Sequence, residues 1–341
     1  MEKLKGVIIG CGRISYRHVQ ALIDNDSETQ LVGLCDVIED RAIEKKNQYM
    51  ESFPERYVPV FTDYKEMLKE VKPDFAMICT ESGYHGDIAI HCLEEDVHVL
   101  IEKPMAMTLE EIDKINELSE EKNLKVGVCH QNRFNPPIQK LRKAIDEGKF
   151  GRLINGTARI LWTRDQNYYD LAPWRGTRKL DGGTLMNQCI HNIDLLLWMM
   201  GSDVVSVQSE RGTFLRDIEM EDFGAILLRF ANGSIGIIEG SACVYPKNLE
   251  ETLSIFGETG TAVIGGLAVN EIKTWNFEDK TEVVEEDDSS KVKNVYGDGH
   301  TPLLKDFIDA IKEDRLPLIS GYEARKPVEV ILKSYEQRKL P

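Results

Sequence analysis

At 341 residues the chain is too long for one ordinary hydrophobic core, and two domains are expected. Its 42% hydrophobic and 29% charged residues are those of a folded, soluble protein. A net charge of −16 with no long basic run argues against nucleic acid or an acidic membrane surface as the main partner, so any anionic ligand must meet a local basic pocket.

The opening Met-Glu-Lys-Leu-Lys leads into an apolar run too short for a signal peptide, and no stretch is long enough to cross a membrane. The strand Val7–Ile9 instead runs into Gly10 and Gly12, where the backbone must turn sharply and approach a pyrophosphate. A helix from Ile14 to Ile23 then turns its N-terminal N–H groups toward those phosphates. Gly10, Gly12, Arg13 and Ile14 are the candidate contacts there. Ser15 takes the place of a third glycine, a position that asks only for a small residue in close helix-to-strand packing. The next strand, Leu31–Cys35, ends at Asp36. Its carboxylate can accept from both adenosine ribose hydroxyls and would repel a 2′-phosphate, which favours NAD over NADP.

Strands at Phe75–Cys79, His98–Ile101 and Val126–Cys129 follow, with helical patterns between them. This alternation predicts a doubly wound parallel sheet over residues 1–130. Thr80, Ser82 and His85 fall just after the Phe75–Cys79 strand, where the nicotinamide half of the cofactor should pass; Ser82 and His85 serve equally well as caps for a helix over Gly86–Glu95. Glu102-Lys103-Pro104 follows the His98–Ile101 strand. A lysine there can stabilise the alkoxide that forms as hydride leaves, although to act as a base it would need desolvation to lower its usual pKa of about 10.4. Thr108-Leu-Glu-Glu111 has capping-box spacing and predicts a helix running toward Asn123. His85, His91 and Cys92 lack any metal-ligand frame, and no metal is expected.

Asn135-Pro-Pro interrupts the pattern before a helix ending near Gly148, so a domain boundary is expected near residue 130, with residues 131–341 forming an α+β domain. Its expected strands are Leu153–Trp162, Val204–Thr213, Gly224–Phe230, Ser234–Ala242, Thr252–Phe256 and Glu271–Phe277, in a largely antiparallel open sheet; Ala231-Asn-Gly-Ser234 is a hairpin signal. A helix is expected over Thr184–Met200, stopped by Gly201, and on it Asn187, His191 and Asp194 are spaced i, i+4, i+7 on one face. An imidazole with an ordinary pKa near 6.5 suits a general base, which makes His191 the candidate acceptor of a hydroxyl proton. Glu278–Asp288 reads as a solvated acidic loop, and helices Pro302–Glu313 and Tyr322–Gln337 close the chain. The seven cysteines include no Cys-x-x-Cys pair and lie mostly in apolar segments, the pattern of reduced thiols in a cytoplasmic protein.

Together, Gly10-Cys-Gly-Arg-Ile-Ser15, Glu102-Lys103-Pro104 and Gly182-Gly183 with Asn187, His191 and Asp194 resemble the Gfo/Idh/MocA family of sugar and cyclitol oxidoreductases, over nearly the whole chain. The resemblance implies an NAD-binding Rossmann domain and hydride transfer between a sugar carbon and nicotinamide. It makes Lys103 and His191 the catalytic pair, and it adds Thr80, His85, Glu102 and Lys103 to the cofactor contacts. Many family members carry aspartate where this chain has Asn187. Asparagine cannot take a proton, so Asn187 is expected to orient the sugar.

Trp162-Thr-Arg164, Tyr168-Tyr-Asp170, Trp174-Arg-Gly-Thr177, Tyr245-Pro-Lys-Asn-Leu-Glu250, Gly265–Glu271 and Val295–His300 are similar to the WlbA-type (WbpB-like) branch, UDP-N-acetylglucosaminuronate 3-dehydrogenases. That similarity implies oxidation of a sugar C3 hydroxyl in surface-polysaccharide biosynthesis. A UDP-uronate carries a diphosphate and a carboxylate, for which Arg164, Arg175 and Lys247 are available; Tyr168, Tyr169 and Tyr245 can pack on uracil or sugar, and Asn248 lies in the same segment. Arg178-Lys179 reads as facing water. The sequence leaves open another sugar or cyclitol as substrate, reoxidation of NADH by 2-oxoglutarate, and a non-catalytic nucleotide-sugar sensor. A homo-oligomer, dimer or tetramer, is expected through a sheet face.

Overall fold

The computed structural model describes residues 3–278 and 299–336, in two compact units. The remainder of the acidic stretch through Asp288, the Val295–Asp298 part of the family-like segment and Gln337 lie outside the described residues.

The first unit begins β1 (Leu4–Ile9), α1 (Ser15–Asp24), β2 (Thr29–Cys35), α2 (Glu39–Ser52), β3 (Val60–Phe61), α3 (Tyr64–Val71), β4 (Phe75–Ile78), α4 (His85–Glu94), β5 (His98–Ile101), α5 (Leu109–Glu121) and β6 (Val126–Val128). All strand pairs are parallel, in the order β3-β2-β1-β4-β5-β6. The strand order reverses between β1 and β4, the switch point at whose carboxyl ends ligands bind in such sheets. Val7, Ile8, Phe75, Ala76, Met77 and Ile78 are wholly buried, as expected for strands covered on both faces. The capping box at Thr108 is formed, with the Glu111 side chain accepting from the Thr108 N–H and Thr108 Oγ1 accepting from the Glu111 N–H.

The second unit carries α6 (Pro136–Asp146), β7 (Leu153–Leu161), α7 (Gln166–Asp170), α8 (Gly183–Asn187), α9 (Ile190–Met200), β8 (Val204–Gly212), β9 (Phe223–Phe230), β10 (Ile235–Ser241), β11 (Glu250–Gly257), β12 (Gly260–Gly265) and β13 (Glu271–Phe277). Its sheet runs β13-β12-β11-β7-β10-β9-β8, with α9 against β7 and β11. The Asn232-Gly233 turn closes the β9–β10 hairpin. Two features differ from the sequence reading. β12 is an additional strand, and β7 pairs in parallel with β10, because the hairpin inserts β10 beside the earlier strand.

The expected helix over Thr184–Met200 is divided into α8 and α9. The Cys189 N–H bonds back to the Thr184 carbonyl, one residue further than the regular ladder, while the Ile193 N–H starts anew from the Cys189 carbonyl. Packing explains the break: Cys189 seats on Gly240 and Leu185 on Gly224, at positions where a Cβ on either glycine would come within 3 Å of them. Asn187 therefore ends α8 while His191 and Asp194 belong to α9, and the single i, i+4, i+7 stripe does not exist.

After Gly299 the chain returns to the first unit. α10 (His300–Glu313) packs on α1, and α11 (Gly321–Glu336) passes from the first unit's residues to the second's between Arg325 and Lys326. The boundary expected near residue 130 is thus one of three crossings.

On β11, Glu251 is buried among Leu253 and Ile255 near Asn192 of α9, and burial pushes its carboxyl up from 4.5 to about 8. The folded form then holds a proton that the unfolded form has lost, so stability falls as pH rises through the window from about 4.5 to about 8. Glu251→Gln removes that loss. Its stabilisation over the wild type, read by denaturant titration, should grow from less than about 1 kcal/mol at pH 5 to a few kcal/mol above pH 8. A pH-independent difference would contradict this.

Candidate active site

At the first unit's sheet edge, Gly10 has φ +91°, and a Cβ there would come 2.6 Å from the backbone of Cys79 and Thr80. Only glycine meets both demands. Gly12 faces open space, and Ile14 precedes α1, whose first turn holds no side-chain cap and no acid. Ser15 is buried, and its hydroxyl donates to the Gly12 carbonyl at 2.7 Å, so the residue replacing the third glycine itself closes the turn. Arg13 is exposed. The Asp36 carboxylate is nearly buried and accepts from the Cys11 N–H and the Ile38 N–H, each at 2.8 Å. It therefore ties the glycine turn to the end of β2, and its remaining lone pairs are those available to ribose hydroxyls.

The turn Glu102–Lys103–Pro104 leaves β5 beside this edge. The Glu102 side chain points into the unit: His18 Nε2 of α1 donates to its Oε1 at 2.7 Å, and His300 Nε2 of α10 lies 3.8 Å from the same oxygen. Burial opposes its charge, but the two imidazoles hold the carboxyl well below its usual range. Lys103 is half-buried. His85 sits between the loops after β4 and β5, with Nδ1 2.8 Å from the Pro104 carbonyl oxygen and Nε2 3.1 Å from the Thr80 carbonyl oxygen. Burial lowers the ring's pKa despite these carbonyls, and the neutral imidazole donates to one of them, its other nitrogen facing the second. Neither His85 nor Ser82 caps α4, since Ser82 begins a short 3₁₀ turn ahead of that helix and α4 has no side-chain cap. The Thr80 hydroxyl donates weakly to the Glu81 carbonyl, at 3.4 Å.

In the second unit, Asp165 caps α7 and accepts from the Tyr168 N–H. Two guanidinium groups approach the Tyr168 ring, Arg164 at 5.2 Å and Arg175 at 4.3 Å from its centroid; these also lie over Trp162 and Trp174 respectively. Asn248 accepts from the Thr163 N–H at 2.9 Å and from Arg164 at 3.4 Å, holding the loop before β11 to the end of β7. Gln188 donates to the Tyr168 hydroxyl. Arg164, Tyr168, Arg175 and Asn248 are thus brought together. Tyr169 is buried beside Tyr168, where burial pushes its phenol up. Tyr245 and Lys247 stand exposed on their loop, outside these contacts among the described residues.

Asn187 donates to Asp181, whose other oxygen accepts from the Gly176 N–H at 2.6 Å. His191, half-buried, is the second residue of α9. Asp194 makes a bidentate ion pair with Arg133, Nε–Oδ2 2.8 Å and Nη2–Oδ1 2.7 Å, and both residues are buried. Beneath α8 lies Glu221, buried, accepting from the Leu185 N–H and the Tyr335 hydroxyl, each at 2.9 Å; burial pushes it up to about 7. A Cβ on Gly183, which has φ +81°, would collide with this carboxylate. Sequence reasoning missed His18, His300, Arg133 and Glu221. The partners of each lie far off in the chain, and nothing in local spacing signals them.

Residues 4–130 match the model of an oxidoreductase family with an NAD-binding Rossmann fold, which makes this an NAD-dependent oxidoreductase. Residues 138–263 match the GFO/IDH/MocA C-terminal domain. With well over half of its length so matched, the chain belongs to the Gfo/Idh/MocA family of NAD-dependent sugar and cyclitol dehydrogenases. The myo-inositol 2-dehydrogenase of Thermotoga maritima is 24% identical over 333 residues, spanning 93% of this chain and 91% of that protein. Among solved structures, the WlbA dehydrogenase of Bordetella pertussis, in complex with NADH and UDP-GlcNAcA, is 33% identical with a TM-score of 0.85, covering 100% of this chain and 99% of that one. The WlbA enzyme of Chromobacterium violaceum, with the same two ligands, is also 33% identical, with a TM-score of 0.86 over 98% and 94% of the two chains. No helix among the described residues is long and apolar enough to cross a membrane.

Proposed function

We propose that the chain oxidises the C3 hydroxyl of a UDP-N-acetylhexosaminuronate, with NAD as hydride acceptor. The observation that carries this reading is the Trp162, Arg164, Tyr168, Trp174 and Arg175 cluster. It sets two guanidinium groups against three aromatic rings in a protein of net charge −16. Guanidinium forks suit a diphosphate and a carboxylate, and flat rings suit uracil. An uncharged cyclitol would need neither. The identity shared with the two WlbA enzymes along the whole chain supports the same substrate class.

In this reading Lys103 polarises the sugar oxygen and stabilises the developing alkoxide, His191 takes the hydroxyl proton, and Asn187 orients the sugar through an amide fixed by Asp181. Gly10, Gly12, Arg13, Ile14, Asp36 and Thr80 hold NAD, which supplies the hydride-accepting ring when bound. Ser82, His85 and Glu102 shape the edge that receives it. A second reading, a cyclitol dehydrogenase, is favoured by the inositol dehydrogenase relative. NADH absorbance with UDP-GlcNAcA, UDP-GlcNAc and myo-inositol separates the readings. The uronate should give a kcat/KM at least about 100-fold above that of inositol, corresponding to loss of the charge-assisted contacts. Preference for inositol would overturn the assignment, and equal rates with both UDP-sugars would remove the C6 carboxylate from it.

A further inference from the structure

Three buried histidines hold the lysine turn from inside the first unit. His18 and His300, whose rings meet edge-on with centroids 5.4 Å apart, close on Glu102. His85 joins the Pro104 and Thr80 carbonyls. The Lys103 N–H faces Glu102 Oε2 at 3.3 Å, so the carboxylate reaches the lysine's own backbone. His300 comes from α10, far along the chain, and belongs to none of the substrate or cofactor contacts proposed above.

We propose that His18 and His300 are positioning residues that act through Glu102: they anchor a buried carboxylate whose other oxygen holds the Lys103 backbone, while His85 fixes the far end of the same turn. Lys103 is then held at a fixed height above the sheet edge by His18 and His300, which belong to neither the sugar nor the cofactor contacts proposed above, acting through Glu102. The hydrogen bond from His18 and the nearby His300 ring are the polar surroundings of this buried carboxylate, and losing either leaves it less well compensated. The inference rests on the proposed role of Lys103. His18, Glu102 and Cys129 also place three ligand atoms within 4.8 Å of one another. A 2.7 Å hydrogen bond already joins two of them.

The test is a double-mutant cycle in the full-length enzyme with Glu102→Gln, His300→Asn and their combination. Each single change should lower kcat about 10- to 100-fold, as a displaced catalytic group does, while the NADH dissociation constant and the sugar KM stay within about threefold. The double variant should be no slower than the slower single, because His300 works through Glu102. A readout independent of the sugar is the rate at which acetic anhydride labels Lys103, followed by peptide mass spectrometry. Displacement of the half-buried lysine should change it at least about threefold in each single variant, with other lysines unchanged. Multiplicative losses in kcat, a parallel loss of NADH affinity, unaltered Lys103 labelling in folded variants, or one bound zinc per chain in the purified enzyme would each overturn the proposal. Failure of the wild type to oxidise UDP-GlcNAcA counts against the substrate assignment alone, and the labelling result decides the positioning role.

Discussion

Lys103→Ala should lower kcat by about 10²- to 10³-fold while NAD affinity changes by less than about threefold. The residue follows β5 at the edge where ligands of doubly wound sheets bind, and it is half-buried. A charge placed where the alkoxide develops is worth more in the transition state than in the ground state, which confines the loss to turnover. The Glu102 carboxylate and the His85 clamp remain after the substitution, so the cofactor edge should keep its shape. Steady-state kinetics beside NADH fluorescence titration separates the two quantities. If turnover survives, Lys103 is not the polarising group; if NAD affinity collapses with it, the residue serves the cofactor.

A loss of about 3–5 kcal/mol in stability is expected for Asp194→Ala, with a fall in thermal midpoint of the order of 10 °C. Arg133 and Asp194 are both buried and meet through two hydrogen bonds, with the guanidinium also over Trp198 at 4.8 Å. Removing the carboxylate takes two charge-assisted hydrogen bonds from a buried guanidinium that cannot give up its charge. Replacing both partners together, Arg133→Met with Asp194→Leu, should recover most of the loss, since the penalty comes from the unpaired ion and the pair itself is worth little against apolar packing. Calorimetry of the three variants decides it. A loss under about 1 kcal/mol in Asp194→Ala would show that water reaches the arginine.

The site was only partly legible beforehand. The glycine turn could be read because a strand, two glycines and a helix follow each other in the chain, and Asp36 because the next strand ends on it. Its attachment to the Cys11 and Ile38 amides could not be read, and these are the bonds that fix the turn. Arg164, Tyr168 and Arg175 could be grouped as chemistry suited to a nucleotide sugar; that both guanidiniums approach the Tyr168 ring emerged only from the coordinates. Tyr245 and Lys247, chosen on the same grounds, remain exposed on their loop.

The sequence by itself determined the local repeats: alternation of buried strands with amphipathic helices, the capping box at Thr108, the Asn-Gly hairpin, and the glycine and acid of a dinucleotide turn. These depend on neighbours within about a turn of helix or a tight loop, so spacing alone carries them. Tertiary structure decided the rest. It broke the expected 184–200 helix so that Cys189 and Leu185 could seat on Gly240 and Gly224, laid β10 parallel to β7, paired Asp194 with Arg133, and brought His300 back to Glu102. Each of those joins residues far apart in the chain, and only burial, which leaves a charge or a side chain nowhere else to go, selects the partner.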